Sequence, residues 1–397
     1  MGFAWKRRSF WASFGILAIL LGLLFGLYFY GREQENAPAQ EDVASTYETA
    51  VVTQILTDST ESDEGAENAW RGEQKLLVEI TGGKYGGQTF LTDNAVGILT
   101  DYAPVTVGQK VVVHISTYTD GSTMTTVYTP DRQNVIYLIL VLFVLVTVLV
   151  GGKTGAKSVL GLVLTVFALI CVYLPLLRKG WPPVSTAFLL CSVVGVICFL
   201  ILGGCSKKVL CACLGTVGGM ALAMIFGLVA QRLLLVDGYQ AEYADALYNE
   251  RLTGTPFRIR GLVVAGVIIS SLGAVMDVAM SVSSALKELK SVDATLNSKA
   301  LWKSGMNIGR DMVGTMTNTL ILAILGSSLM LILYIYSMNL GWNQFISSSF
   351  VAIELVSSVA SAIGVILAVP ITTLTAALIF GRGSERVLEK KIEKNKK

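Results

Sequence analysis

Eight stretches of this chain are apolar for about the length of a membrane crossing, and nothing else in the sequence limits the fold as strongly. A hydrocarbon core about 30 Å thick is spanned by about 20 residues of helix rising 1.5 Å per residue. The stretches are residues 11–30, 134–151, 157–177, 184–203, 208–231, 261–286, 313–337 and 350–380, the last long enough to tilt or to break near Pro370. Length alone, 397 residues, would permit two or three soluble domains. Composition overrides that, with 53% hydrophobic and 15% charged residues.

Lys6, Arg7 and Arg8 precede the first stretch. The stretch is long for a signal peptide. The small-x-small site at Ala37-Pro38-Ala39 lies far beyond it and contains proline. Residues 1–30 therefore read as a retained anchor rather than a cleaved leader. Residues 31–133 form the polar part, opening with a linker at 31–45. Residues 46–56, 74–81, 87–92, 109–117 and 122–129 are rich in Val, Ile, Thr and Tyr, with turns such as "GGKYGG" and "TDG" between several of them. Five short strands and no long helix predict a small all-β, OB-like barrel. The insertion 57–72 reads as a mobile acidic loop. Without a basic stacking face the barrel excludes nucleic acid and fits a spacer or protein-docking role outside the cell.

Charge placement orients the chain. With the N-terminus inside, the cytoplasmic segments hold 19 of the 31 Lys and Arg, the short outside loops 6 and the β segment 6. This bias predicts cytoplasmic N- and C-termini. Arg178 and Lys179 run against it, and the outside loop 232–260 carries Asp237, Glu242, Asp245 and Glu250, which read as a solvated helix face.

Several chemistries are excluded. "GGKTGAKS" at 151–158 imitates a phosphate loop, but the glycine required before Lys157 is Ala156 and the first glycine of the alternative frame is Thr147. All six cysteines lie in or beside apolar stretches, which indicates no disulfide scaffold. Cys191, Cys198 and Cys205 share a helix face, but buried cysteine ordinarily serves as a small apolar residue, and no metal or cofactor is expected. The only histidine is His114, in the β segment, so a Ser–His dyad or H-E-x-x-H zinc site is absent from the membrane part. Asp277 and Asp311 do not fit an opposed aspartyl pair, since Asp311 opens its apolar stretch. The chain does not read as an enzyme.

Three stretches carry polar faces. Ser270, Gly273, Asp277, Ser281 and Ser284 fall near one helical stripe. Asp311, Thr315 and Asn318 form a second, with Arg310, Gly314 and Asn318 beside it. Glu354, Ser358 and Ser361 form a third, followed by Thr372 and Thr373. A charge in hydrocarbon costs about 2.5–3.5 kcal/mol on insertion scales, so such faces meet each other or water. Asp277 is expected to face Asn318 or Glu354. Asp277, Asn318, Glu354, Ser281 and Thr315 are the candidate substrate or ion path, with Arg310 and Asp311 at its cytoplasmic edge. The alternative is that they only hold the helices together. Gly215, Gly218, Gly219, Gly273 and Gly314 are candidate sites of close helix approach.

"GGKTGAKSVLGLVLTVFALICVYLPLLRKG", "GAVMDVAMSVSSAL", "GMNIGRDMVGTMTNTLILA" and "AVPITTLTAAL" resemble the YibE/YibF family of bacterial membrane proteins, over most of residues 45–381. The anchor and β segment make the chain more similar to the YibE type. The resemblance implies a bacterial plasma-membrane protein and supplies no catalytic residue. The expected architecture is an anchor (1–30), an extracytoplasmic β domain (31–133), seven further helices (134–381) and a basic cytoplasmic tail (382–397). The expected role is transporter- or permease-like, for a small molecule or ion. The alternative is a scaffold or sensor whose β domain binds a protein partner.

Overall fold

The computed structural model describes residues 2–32, 43–63, 69–97, 104–118, 122–241, 243–252 and 254–395. Most of the expected linker, the middle of the acidic insertion, the "TDG" turn, Glu242 and the last two lysines lie outside these. The chain divides into two compact units, residues 36–150 and residues 1–35 with 151–397.

The first unit contains a barrel. Its strands are β1 (Val43–Asp58), β2 (Glu61–Asp63), β3 (Ala69–Ile80), β4 (Thr89–Val96), β5 (Lys110–Tyr118) and β6 (Thr123–Pro130). Five of them close in the order β1-β5-β6-β4-β3 and back to β1, and β2 only extends β3. All pairings are antiparallel except β4 with β6. Alternation does the sorting: Val111, Val113 and Ile115 of β5 point inward with Val52, Leu76, Val78 and Val127. Register shifts at Val52/Gln54 and Ile55/Thr57 let β1 curl far enough to pair on both sides. The insertion 57–72 is not simply a loop, since β1 runs to Asp58 and β2 pairs with the start of β3.

The barrel also buries a polar knot. Gln74 Nε2 donates to Asp58 Oδ2 (2.9 Å) and the Val105 carbonyl (3.2 Å). Its Oε1 accepts from Val105 N–H (2.9 Å) and Asn94 Nδ2 (3.0 Å). The hydroxyl of Thr60, then Gln74, then the Thr60 N–H hold the Asp58 carboxyl below the ordinary aspartate range.

The second unit is helical: α1 (Gly2–Arg32), most of a helix whose first part, α2 (Gln133–Phe167), begins in the other unit, α3 (Leu174–Arg178), α4 (Pro183–Gly203), α5 (Lys207–Leu233), α6 (Ala244–Leu252), α7 (Leu262–Val292), α8 (Ser298–Ser327), α9 (Leu329–Ser337), α10 (Trp342–Ile346) and α11 (Ser349–Asn395). Among the described residues, five helices are long and apolar enough to cross a membrane, six if the pair α8–α9, bent by 60°, is one crossing. Eight apolar stretches give fewer such helices for two reasons. Residues 133–178 form one 46-residue helical run, and of the first stretch, 11–30, the count takes in only Gly15–Gly31, where the side chains of α1 are described. The 46-residue run contains a non-helical residue, Gly152, at φ 55° and ψ −137°, a conformation that suits glycine. Further on, residues 168–173 widen into a π-helix just before Pro175. Proline has no N–H for the carbonyl four residues back and crowds it, so the turn opens.

Helices α5, α7 and α11 form the centre, with α8 against α11 and α4 against α7. Glycine allows the approach: a Cβ on Gly219 would lie 2.8 Å from the Gly364 carbonyl oxygen and 2.9 Å from both Ala368 and Val275. α11 runs unbroken through Pro370. α1 packs by Leu24, Phe25 and Tyr28 against the π-helical region, with Phe167 5.7 Å from Tyr28. Lys179, which runs against the charge bias, donates to the Tyr30 carbonyl at the end of α1 and lies 3.9 Å over its ring. A cation there complements the negative end of the helix dipole.

Candidate functional site

α7 sorts its residues by volume and polarity. Val264, Ile268, Val275, Val278 and Val282 face the neighbouring helices and are buried. Gly266, Ser270, Gly273, Asp277 and Ser281, spaced three or four apart, form an exposed stripe. Asp277 is its centre, fifteen residues from either end of the helix, and makes no hydrogen bond or ion pair among the described residues. A Cβ on Gly266 or Gly273 would meet nothing within 4 Å, so this face is open.

The helix registers locate the other candidates. Ser270 Oγ lies 3.1 Å from Ser361 Oγ, and a Cβ on Gly364 would lie 3.6 Å from Val275, so α7 and α11 run in the same direction. Glu354 lies seven residues before Ser361 and Asp277 seven after Ser270, an axial separation of about 21 Å. The expected Asp277–Glu354 contact is therefore not made. α8 runs the opposite way, with Gly305 against Thr373 and Leu286 and Gly309 against Val369.

Arg310 and Asp311, expected at an edge, lie in the middle turns of α8. The helix begins at Ser298, where Asn297 Oδ1 accepts from Ala300 N–H at 2.8 Å. Counting from the Gly305–Leu286 contact brings Arg310 level with Ser281, about 6 Å along the axis from Asp277. Arg310, Asp311, Gly314, Thr315, Asn318 and Thr319 are all exposed. Three of them bond locally: Arg310 reaches Asn307 Oδ1 (3.5 Å), Thr315 Oγ1 donates to the Met312 carbonyl (3.1 Å), and Thr319 Oγ1 to that of Thr315 (2.9 Å). Asn318 makes no bond to Asp277.

The glycines divide. A Cβ on Gly215 would lie 2.9 Å from Thr372 Cβ, and one on Gly218 the same distance from Ile371, so with Gly219 they serve close packing. Gly273 and Gly314 meet nothing. Sequence reasoning missed Thr216, buried on α5, whose hydroxyl has no hydrogen-bond partner among the described residues; the same holds for the hydroxyls of Ser358, Thr372 and Thr373 on α11. A single hydroxyl in an apolar run carried no periodic signal. Cys198 Sγ lies near the Gly161 carbonyl (3.7 Å) and Thr165 Oγ1 (3.8 Å), and among the described residues no three His, Cys, Asp or Glu side chains converge as a metal set.

Long apolar helices, packed through glycine and bearing polar groups midway along, define a multi-pass membrane protein. Residues 139–382 match the YibE/F-like protein family, and the chain belongs to it. The match begins after the barrel. No curated protein and no solved structure matches the chain.

Proposed function

We propose that the chain is a transporter- or permease-like protein of a bacterial plasma membrane, not an enzyme, in which Asp277 takes up and releases a proton or cation. The observation that carries this is Asp277 itself. It is a carboxylate midway along an apolar helix, on a stripe of glycine and serine, without a partner among the described residues. Hydrocarbon cannot satisfy such a group, so water or another polypeptide must face it. The path then runs along the flank of this bundle, past Ser281, with Thr315 and Asn318 on the exposed side of α8. Glu354 is a separate station about 21 Å along the axis.

We count eight crossings: α1, the two halves of 133–178 on either side of Gly152, α4, α5, α7, α8–α9 and α11. At about 69 Å that 46-residue run is twice a hydrocarbon thickness. The Lys and Arg bias then puts both termini in the cytoplasm and the barrel outside. The barrel's strand order, with β1 paired on both sides, supports the OB-like reading.

The test is proton movement into liposomes that hold the purified full chain and a pH-sensitive dye. Asp277→Asn keeps the shape and cannot titrate. It should retain abundance and melting behaviour while flux falls to the level of empty liposomes; wild-type flux in this variant refutes the reading. A second reading, a scaffold or sensor docking a protein through the barrel, is favoured by an exposed aromatic cluster. The Tyr47 ring stacks on His114 at 4.7 Å and meets Tyr128 edge-on at 5.1 Å. Loss of a co-purifying partner in Tyr47→Ala/Tyr128→Ala, with no flux in the wild type, would select it.

A further inference from the structure

All four arginines between residues 232 and 260 line two adjoining cavities. The first, about 570 Å³, is bounded by Arg251, Arg258 and Arg260, with Met224 and Leu228 on its apolar side. The second, about 620 Å³, adds Arg232 and Gln231 and shares Arg260 and Leu228. Both lie where α4 begins, α5 ends and α7 begins.

Among the described residues, the arginines lining these cavities have few partners. Arg260 Nε pairs with Asp237 Oδ2 at 3.3 Å, an exposed contact of little strength. Arg251 reaches, among the described residues, only the Tyr239 hydroxyl, at 3.4 Å. Arg232 and Arg258 have no hydrogen-bond or ion-pair partner among the described residues. Among the described residues, the linings of the two cavities thus hold four arginines and one carboxylate, Asp237. The first turn of α4 adds Val184 and Ser185 to the wall, and first-turn N–H groups have no acceptor inside their helix. Guanidinium forks match phosphate oxygens in pairs, and an apolar wall beside them suits a ligand with a hydrocarbon body.

We propose that these cavities form a binding site for a phosphate-bearing anion, with Arg232 and Arg258 supplying its free donors. The site is separate from Asp277, and its failure leaves the transport reading standing. A phosphate can come from an anionic lipid headgroup or from solution, and the apolar side of Met224 and Leu228 favours the lipid.

The test is the melting temperature of the purified full chain in detergent, titrated with short-chain phosphatidylglycerol, short-chain phosphatidylcholine or inorganic phosphate. Phosphatidylglycerol should raise it saturably, and phosphatidylcholine should not. In Arg232→Gln/Arg258→Gln the apparent affinity should fall by about tenfold or more, the equivalent of one lost charged hydrogen bond. Neither arginine has an internal partner, so this variant removes no described bond, and its melt without added ligand checks that it folds. A shift with inorganic phosphate that the variant abolishes supports the site with a free anion as occupant. No shift with either anion, an equal shift with phosphatidylcholine, or an undiminished shift in the variant overturns the proposal.

Discussion

The hydroxyls of Ser270 on α7 and Ser361 on α11 lie 3.1 Å apart, and Ser361 Oγ also reaches the Val267 carbonyl at 3.4 Å. This pair locks the register of two helices running side by side. It holds Ser270 at the edge of the exposed stripe while burying Ser361 fully. The remainder of the stripe, Gly273, Asp277 and Ser281, is left facing away from α11.

Two glycines on adjacent helices should respond differently to the same change. Gly219→Val drives a side chain into Val275, Ala368 and the Gly364 backbone, and overpacking of this kind costs about 1–3 kcal/mol or more. Membrane abundance and melting temperature should both fall. A Cβ at Gly273 meets nothing within 4 Å, so Gly273→Val should leave both unchanged. If Gly273→Val instead reduces function at normal abundance, something else packs on that face.

The barrel should fold without the helices, because its core of valine, leucine and isoleucine is contained within strands β1 to β6 and the β4–β5 connection that supplies Val105. A fragment covering residues 43–130 should show a β circular-dichroism spectrum and a cooperative melt. Gln74→Leu in that fragment removes the bonds to the Val105 N–H and to Asn94 Nδ2, and a stranded Val105 N–H costs about 1–3 kcal/mol in the interior. The denaturation midpoint should drop accordingly. An unchanged midpoint would mean that water takes over both bonds.

Asp58 predicts an acid limb in the same fragment. Its carboxyl is held below the ordinary aspartate value by Thr60 and Gln74. The stabilisation this gives is complete above the unfolded value, about 3.9, and is lost as pH falls through the lowered folded one. Urea melts from neutral pH downward should show that loss at acid pH, and Asp58→Asn should flatten that part of the profile. Parallel profiles in the two proteins would remove Asp58 from the account.

The apolar runs, the β segment and the polar stripe around Asp277 were legible in the sequence, because spacing at two or at three to four residues is a local property. Capping was legible too, but overlooked: Asn297 starts α8 well before its apolar part, which moves Arg310 and Asp311 into mid-helix. The convergence of Arg232, Arg251, Arg258 and Arg260 on two cavities had no such signal, since the loop that gathers them reads as ordinary solvated chain.

Which polar residues meet was decided only by tertiary structure. The sequence by itself determined that α7 and α11 each have a polar face, since side-chain direction in a helix follows from its period. It could not determine that Ser270 meets Ser361 while Asp277 and Glu354 stay about 21 Å apart. Axial register between two helices depends on where glycines let the backbones close, here Gly219 against Gly364. That choice is a property of three helices packed together, and none of the three contains it alone.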